Sequence, residues 1–246
     1  MRLTLMLAFT TFFCGVVLAQ SVSIRTDEWF PMTGSPSGQQ KGFMVDLAYR
    51  VFDSVDYKLM PWQRALEEVD AGNFDCVLGA YKEDAPGFIF PEESWGTDRI
   101  GIFIKQSDNW EYNGLESLLE RKVGVIKGYS YAEDLDNLIE SSPQVFKIAS
   151  GINGLEKNIK KLHAGRIDVV IESTPVASAK LKSLGLSEKI KRVGFINEAA
   201  PFYIACSPAN PKSKALVKKV DEITRQLREQ GEIEKIMSQY GLTDWK

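Results

Sequence analysis

Six residues of this chain combine an aromatic or hydrogen-bonding surface with a position where a turn could expose it: Trp29, Phe30, Trp62, Tyr81, Tyr129 and Ser130. Aromatic faces offer large contact area and can hold a cation or a flat group, so the chemistry suggested is recognition rather than bond-making. For Trp29 and Phe30, core packing is an equal alternative, because aromatics near strand ends often face inward. Arg64, two residues beyond Trp62, could fork a carboxylate; otherwise it is an exposed arginine paired with Glu67 or Glu68 at helical spacing. The backbone N–H groups of Gly128, Tyr129 and Ser130 could take an anionic group at a helix start, and Ser130 could equally be a simple cap. Glu172 is the one credible general acid; its plainer role is a hydrogen bond to a ligand amine.

The single histidine, His163, ends an amphipathic run, where a helix C-terminus accounts for it without chemistry. With one histidine and no clustered Cys, Asp or Glu spacing, a transition-metal site has no support. Neither a G-x-S-x-G elbow nor a phosphate loop occurs. The expectation is a ligand-binding protein with no cofactor and no metal.

The element that positions Trp62 is the stretch Pro61–Tyr81. Trp62, Ala65, Leu66 and Val69 recur at helical spacing, with Arg64, Glu67, Glu68 and Asp70 on the other face. Pro61 suits a helix start and Gly72-Asn73 a stop. Phe74–Leu78 then reads as a short buried strand running into Gly79-Ala80. In an open α/β sheet, ligands sit at helix N-termini and beyond strand C-terminal ends, so Trp62 and the segment Gly79, Ala80, Tyr81 could line one cleft.

Around that stretch the chain alternates in the same grammar. Val22–Thr26 is a strand, and a helix follows Lys41-Gly42 with Met44, Val45, Leu47, Ala48, Val51 and Phe52 inward. Tyr57–Met60 is the next strand, which gives a β-α-β-α-β run and a mostly parallel sheet. Ile100–Ile104 is a strand crossing out of this first unit. Lys122 to about Leu186 repeats the pattern: strands at Lys122–Ile126, Val145–Ala149 and Arg166–Ile171, a capping-box helix starting at Ser130 with Glu133, and a helix opened by Thr174-Pro175. Phe195–Ile204 reads as the return crossing, and Ser213–Gln230 and Glu232–Tyr240 as closing helices. The expected fold class is α/β, with two lobes hinged by two crossing strands: residues 20–99 with 200–246, and residues 100–199.

The 246 residues suffice for two modest lobes, and a net charge of −3 gives no reason to expect nucleic acid or an anionic membrane surface as partner. Residues 1–19 read as a secretory signal peptide: Arg2, an apolar stretch Leu3–Leu18, and a small-residue cut ahead of Gln20. For a bacterial source the compartment is the periplasm. Cys14 follows Phe13, which does not suit lipidation. Cys76 and Cys206 remain as an even pair in an oxidising compartment, but both lie in apolar strand-like runs where free buried thiols are common, and the balance leans toward free thiols.

Taken in order, the leader, Gly42-Phe43-Met44-Val45-Asp46-Leu47, Trp62 with Gly72-Asn73-Phe74-Asp75, Val123–Gly128, and Gly165-Arg166-Ile167-Asp168 before Thr174-Pro175 resemble the family 3 extracellular solute-binding proteins. That resemblance implies a type II periplasmic-binding fold that closes on its ligand by hinge motion. It also implies capture of a small polar solute, an amino acid or related compound, for a membrane ABC permease, by a monomer. Trp62 falls where the family places an aromatic against the ligand, and Gly79–Tyr81 and Gly128–Ser130 match its backbone-lined segments. The T-x-x-R stretch whose arginine grips the α-carboxylate is replaced by Lys82-Glu83-Asp84-Ala85-Pro86, and the acidic residue for the α-amine aligns with Ser173, beside Glu172. Either Arg64 or Lys82 substitutes for the arginine, with Arg64 preferred, or the ligand is not an ordinary α-amino acid. Two other readings stand beside the receptor: a dehydratase-like enzyme on the same scaffold with Glu172 as proton donor, and a soluble ligand sensor.

Overall fold

The computed structural model describes residues 21–246; the signal peptide expected over residues 1–19, with Cys14, lies outside the described residues. Among the described residues, ten strands form two five-stranded sheets. The first contains β1 (Val22–Thr26), β2 (Val55–Leu59), β3 (Cys76–Ala80), β4 (Gly96–Asp98) and β10 (Ala200–Cys206), in the order β2-β1-β3-β10-β4. The second contains β5 (Ile100–Lys105), β6 (Val123–Ile126), β7 (Phe146–Ala149), β8 (Val169–Ser173) and β9 (Ile190–Phe195), in the order β7-β6-β8-β5-β9. Each sheet has a parallel half, and in each the remaining strands run antiparallel. The chain passes between the sheets twice, at Arg99 and through residues 196–199.

Burial explains the central strands. Every residue of β3 and β8 is buried, as expected where helices or loops cover both faces; β3 is apolar throughout, while β8 is apolar over Val169–Ile171 and ends in the buried polar pair Glu172-Ser173. Helix α1 (Phe43–Val51) turns Met44, Val45, Leu47, Ala48 and Val51 onto the first sheet, as its spacing demands. Helix α2 (Trp62–Asp70) starts after Pro61 and buries Trp62, Ala65 and Val69. In the second sheet α3 (Glu133–Ser141), α4 (Gly154–His163) and α5 (Thr174–Ser183) connect the strands, while α6 (Ser213–Glu229) and α7 (Glu232–Ser238) close the chain against α1.

Three expectations change. The run read as one return crossing over Phe195–Ile204 is two strands: β9 ends at Phe195 in the second sheet and β10 begins at Ala200 in the first. The capping box at Ser130 does not form. Ser130 Oγ and the Tyr131 N–H both bond the Asp136 carboxylate instead, and α3 begins at Glu133. At α5 the cap is Ser173 rather than Thr174, one residue earlier.

The lean toward free thiols is also overturned. Cys76 and Cys206 are joined in a disulfide across the antiparallel β3–β10 pair, where they stand directly opposite each other. Sequence separation hid this: the two cysteines are 130 residues apart, and only the return of β10 alongside β3 brings them together.

Candidate functional site

A cavity lies where the loops at the strand ends of the first sheet meet those of the second. The space inside it is small, about 30 Å³, room for about one water molecule. The first sheet contributes Asp27 and Trp29 just beyond β1, Leu78 and Gly79 on β3, Tyr81 and Asp84 beyond it, Trp62 at the head of α2, and Asp98 at the end of β4. The second sheet contributes Ile100, Tyr129 and Ser130 from the loop after β6, and Glu172 and Ser173 at the end of β8.

Trp29 is seated by its neighbours. Its ring meets Phe202 edge-on at 5.2 Å and Tyr81 at 6.3 Å. A side chain at Gly79, whose φ is +89°, would strike the same indole at 3.2 Å, so β3 must be bare there. Tyr129 is packed against each of the three apolar clusters among the described residues, including the one built on Trp62 and Val77. It is the side chain at which the two halves meet.

Four polar contacts cross the gap between the sheets. Tyr129 donates its hydroxyl to Asp27 Oδ2 at 2.6 Å, the Ser130 N–H donates to Asp84 Oδ1 at 3.0 Å, and the Trp29 indole N–H donates to Glu172 Oε1 at 3.2 Å. At the rim Lys180 Nζ donates to Glu28 Oε1 at 2.7 Å. The Ser130 N–H that could have held a ligand anion is therefore occupied by the protein's own Asp84 carboxyl.

The electrostatics are one-sided. Among the described residues, the cavity wall holds four carboxyls and no Lys or Arg. Burial pushes the Glu172 carboxyl up to about 8, against the Ser173 N–H and the Trp29 indole, which pull it down. Burial likewise raises Asp27 to about 6, despite the Tyr129 hydroxyl, and raises Asp84 to about 8. Asp98 is raised by the same cause, and its Oδ2 accepts the Tyr81 hydroxyl at 3.0 Å. Glu172 Oε2 is buried with no hydrogen-bond partner.

Of the residues picked from sequence, Trp29, Trp62, Gly79, Tyr81, Tyr129, Ser130, Glu172 and Ser173 line this cavity, and five do not. Arg64 points to solvent and pairs with Glu68 Oε1 at 3.5 Å, because two residues along a helix turn the side chain away from the face Trp62 uses. Lys82, the other proposed carboxylate partner, reaches out over the Tyr203 ring instead. Phe30 packs edge-on against Tyr240 and borders a separate groove. Ala80 is fully buried in the Trp62 cluster, since alternate residues of β3 point to opposite faces. Gly128 touches α2 rather than the cavity: a Cβ there would lie 2.8 Å from Gln63 Cβ. Asp27, Asp84 and Asp98 went unnoticed in the sequence, although Asp27 directly follows β1, the same strand-end position that singled out Gly79 and Tyr81.

No family model matches the chain. The Bacillus subtilis (strain 168) protein described as "Probable amino-acid-binding protein YxeM" is 24% identical over 224 residues, which span 87% of this chain and 81% of that protein. Among solved structures, an ancestral arginine-binding protein bound to arginine superposes with a TM-score of 0.75 at 21% identity, covering 89% of this chain and 97% of its own. A histidine kinase sensor domain with similarity to periplasmic binding proteins gives a TM-score of 0.77 at 17% identity, over 92% of this chain and 98% of its own. The fold is that of these periplasmic-binding-protein-like structures.

Proposed function

We propose that this chain is an exported solute-binding protein, which closes two lobes on a small polar solute and delivers it to a membrane ABC importer. The lobes are residues 20–99 with 200–246, and residues 100–199, and the two chain passages between the sheets are the hinge. The observation that carries the reading is the seam itself: a cavity walled by aromatic and hydrogen-bonding side chains from both sheets, held shut by the Tyr129–Asp27, Ser130–Asp84 and Trp29–Glu172 bonds. Three short contacts that a solute can augment or displace suit a device that opens and shuts.

The likeness to a B. subtilis amino-acid-binding protein and to arginine-binding structures supports an amino acid or a related compound as the solute. The Cys76–Cys206 disulfide supports an oxidising compartment outside the cytoplasm. In this reading Trp29, Trp62, Tyr81 and Tyr129 supply faces to the ligand, while Gly79, Ser130, Glu172 and Ser173 supply polar atoms. The protein works as a monomer and turns nothing over.

A thermal-shift screen across amino acids, amines, organic acids and small peptides tests this. A true ligand at a hundredfold its Kd stabilises by about 2.7 kcal/mol, with no product formed on long incubation. Product formation abolished by Glu172→Gln would overturn the reading in favour of an enzyme.

A further inference from the structure

Resting on the solute-binding reading, we infer that the cavity selects a small organic cation carrying N–H donors and no carboxylate: an alkyl amine, a diamine or a guanidine, rather than an α-amino acid. The wall holds Asp27, Asp84, Asp98 and Glu172, with aromatic faces from Trp29, Trp62, Tyr81 and Tyr129 between them. Four carboxyls around aromatic faces suit a cation, whose arrival favours their ionised form and which the ring quadrupoles attract as well.

A carboxylate would find nothing to hold it. Each basic side chain near the cleft is engaged elsewhere: Arg64 on Glu68, Lys82 over the Tyr203 ring, Lys180 on Glu28, and Arg99 on the Asn197 carbonyl and the Phe195 ring. The loop N–H groups that could bind an anion are also taken, by Asp84 at Ser130 and by Asp136 at Tyr131. A ligand carboxylate would instead be desolvated among four acidic groups, which disfavours it strongly.

One atom points to N–H donors in particular. Glu172 is 2% exposed, its Oε1 accepts from both Trp29 and Ser173, and its Oε2 lies buried in the cavity wall without a partner. A buried acceptor left unmade is costly, and a primary ammonium or guanidinium satisfies it. A quaternary ammonium, which has no N–H, does not.

Matched pairs that differ only in the carboxylate supply the test. Agmatine against arginine, and 1,4-diaminobutane against ornithine, are titrated calorimetrically into the purified protein, with choline and a neutral amino acid, glutamine, as further arms. The amine of each pair is expected to bind at least tenfold tighter than its amino acid and than choline. Glu172→Gln, nearly the same shape, should weaken the amines at least tenfold while the circular dichroism spectrum and a cooperative melt are retained. Arginine, ornithine or glutamine binding as tightly as the amines would overturn the inference and leave the solute-binding reading standing. Choline binding tighter than both amines would overturn the N–H requirement. Binding by none of the arms would sink the cation class, and if the broad screen above is also blank, the receptor reading falls with it.

Discussion

Tyr129 and Asp27 sit 102 residues apart in sequence and on different sheets, yet a 2.6 Å hydrogen bond joins the phenol to the carboxylate. The bond seals the cavity: Tyr129 packs against the cores of both halves, and Asp27 directly follows the first strand. Tyr129→Phe keeps the packing and removes only the hydroxyl, leaving Asp27 Oδ2 without this donor. A hydrogen bond to a charged group contributes about 1.5–3 kcal/mol, so the shut form should be disfavoured by about that amount. Ligand affinity is expected to drop about tenfold or more. Calorimetric titration of the Tyr129→Phe variant checks this; unchanged affinity would mean that the bond does not help hold the lobes together.

The buried carboxyls make stability depend on pH in an unusual direction. An unfolded chain ionises its carboxyls near pH 4, whereas Asp27 and Glu172 are raised to about 6 and about 8 in the folded protein. Their contribution is full below about pH 4 and is lost as pH rises through those higher values, because only the unfolded chain gains from ionising in that interval. The melting temperature of the ligand-free protein should therefore fall between pH 5 and pH 8. Glu172→Gln should flatten the upper part of that decline. Carboxyls that are lowered instead, such as Asp56 beside Arg25, act in the opposite sense and only below the ordinary carboxylate range, so the two effects separate on the pH axis. A flat profile from 5 to 8 would contradict the raised values.

Arg64 lies outside the cleft, exposed and paired with Glu68 on the outer face of α2. Exposed pairs of this kind contribute about 0.3–0.5 kcal/mol. Arg64→Ala should leave ligand affinity within about twofold of the wild type, since a tenfold change would require 1.4 kcal/mol of binding energy. A tenfold loss in titration would instead restore Arg64 as a ligand contact.

Gly128 has a φ of +81° and nearly touches α2 across the gap. Gly128→Ala adds a methyl in a conformation that costs about 1–2 kcal/mol for a residue with a Cβ and presses that methyl against Gln63. The expected result is a protein that stays folded but closes poorly. Small-angle scattering should show less compaction on adding ligand than in the wild type, with affinity lowered about tenfold. Equal compaction in both proteins would refute the contact's importance.

Much of this architecture can be read in the chain because its signals are local. The Trp62–Val69 spacing fixes the inner face of α2, and the unbroken apolar run at β3 announces a strand covered on both sides. The aromatic half of the cavity was legible for the same reason: Trp62 stands at a helix start, and Tyr81 and Tyr129 follow strands. The acidic half was not. Asp27, Asp84 and Asp98 look like ordinary solvated loop residues until a second sheet is laid over them, and that covering depends on contacts such as Ser130 to Asp84 across 46 residues. The outward placement of Arg64 is legible in the sequence too, since the periodicity that turns Trp62 inward turns Arg64 outward.

Both sulfurs of the Cys76–Cys206 link belong to adjacent strands of one sheet, and none of the bond reaches across to the other. Oxidation thus hardens a single wall and does not tie down the two chain passages, at Arg99 and at residues 196–199, that are proposed as the hinge. In the hinged reading proposed above, rigidity and freedom to open thereby belong to separate parts of the molecule: a reductant should shorten its lifetime without changing how far it opens.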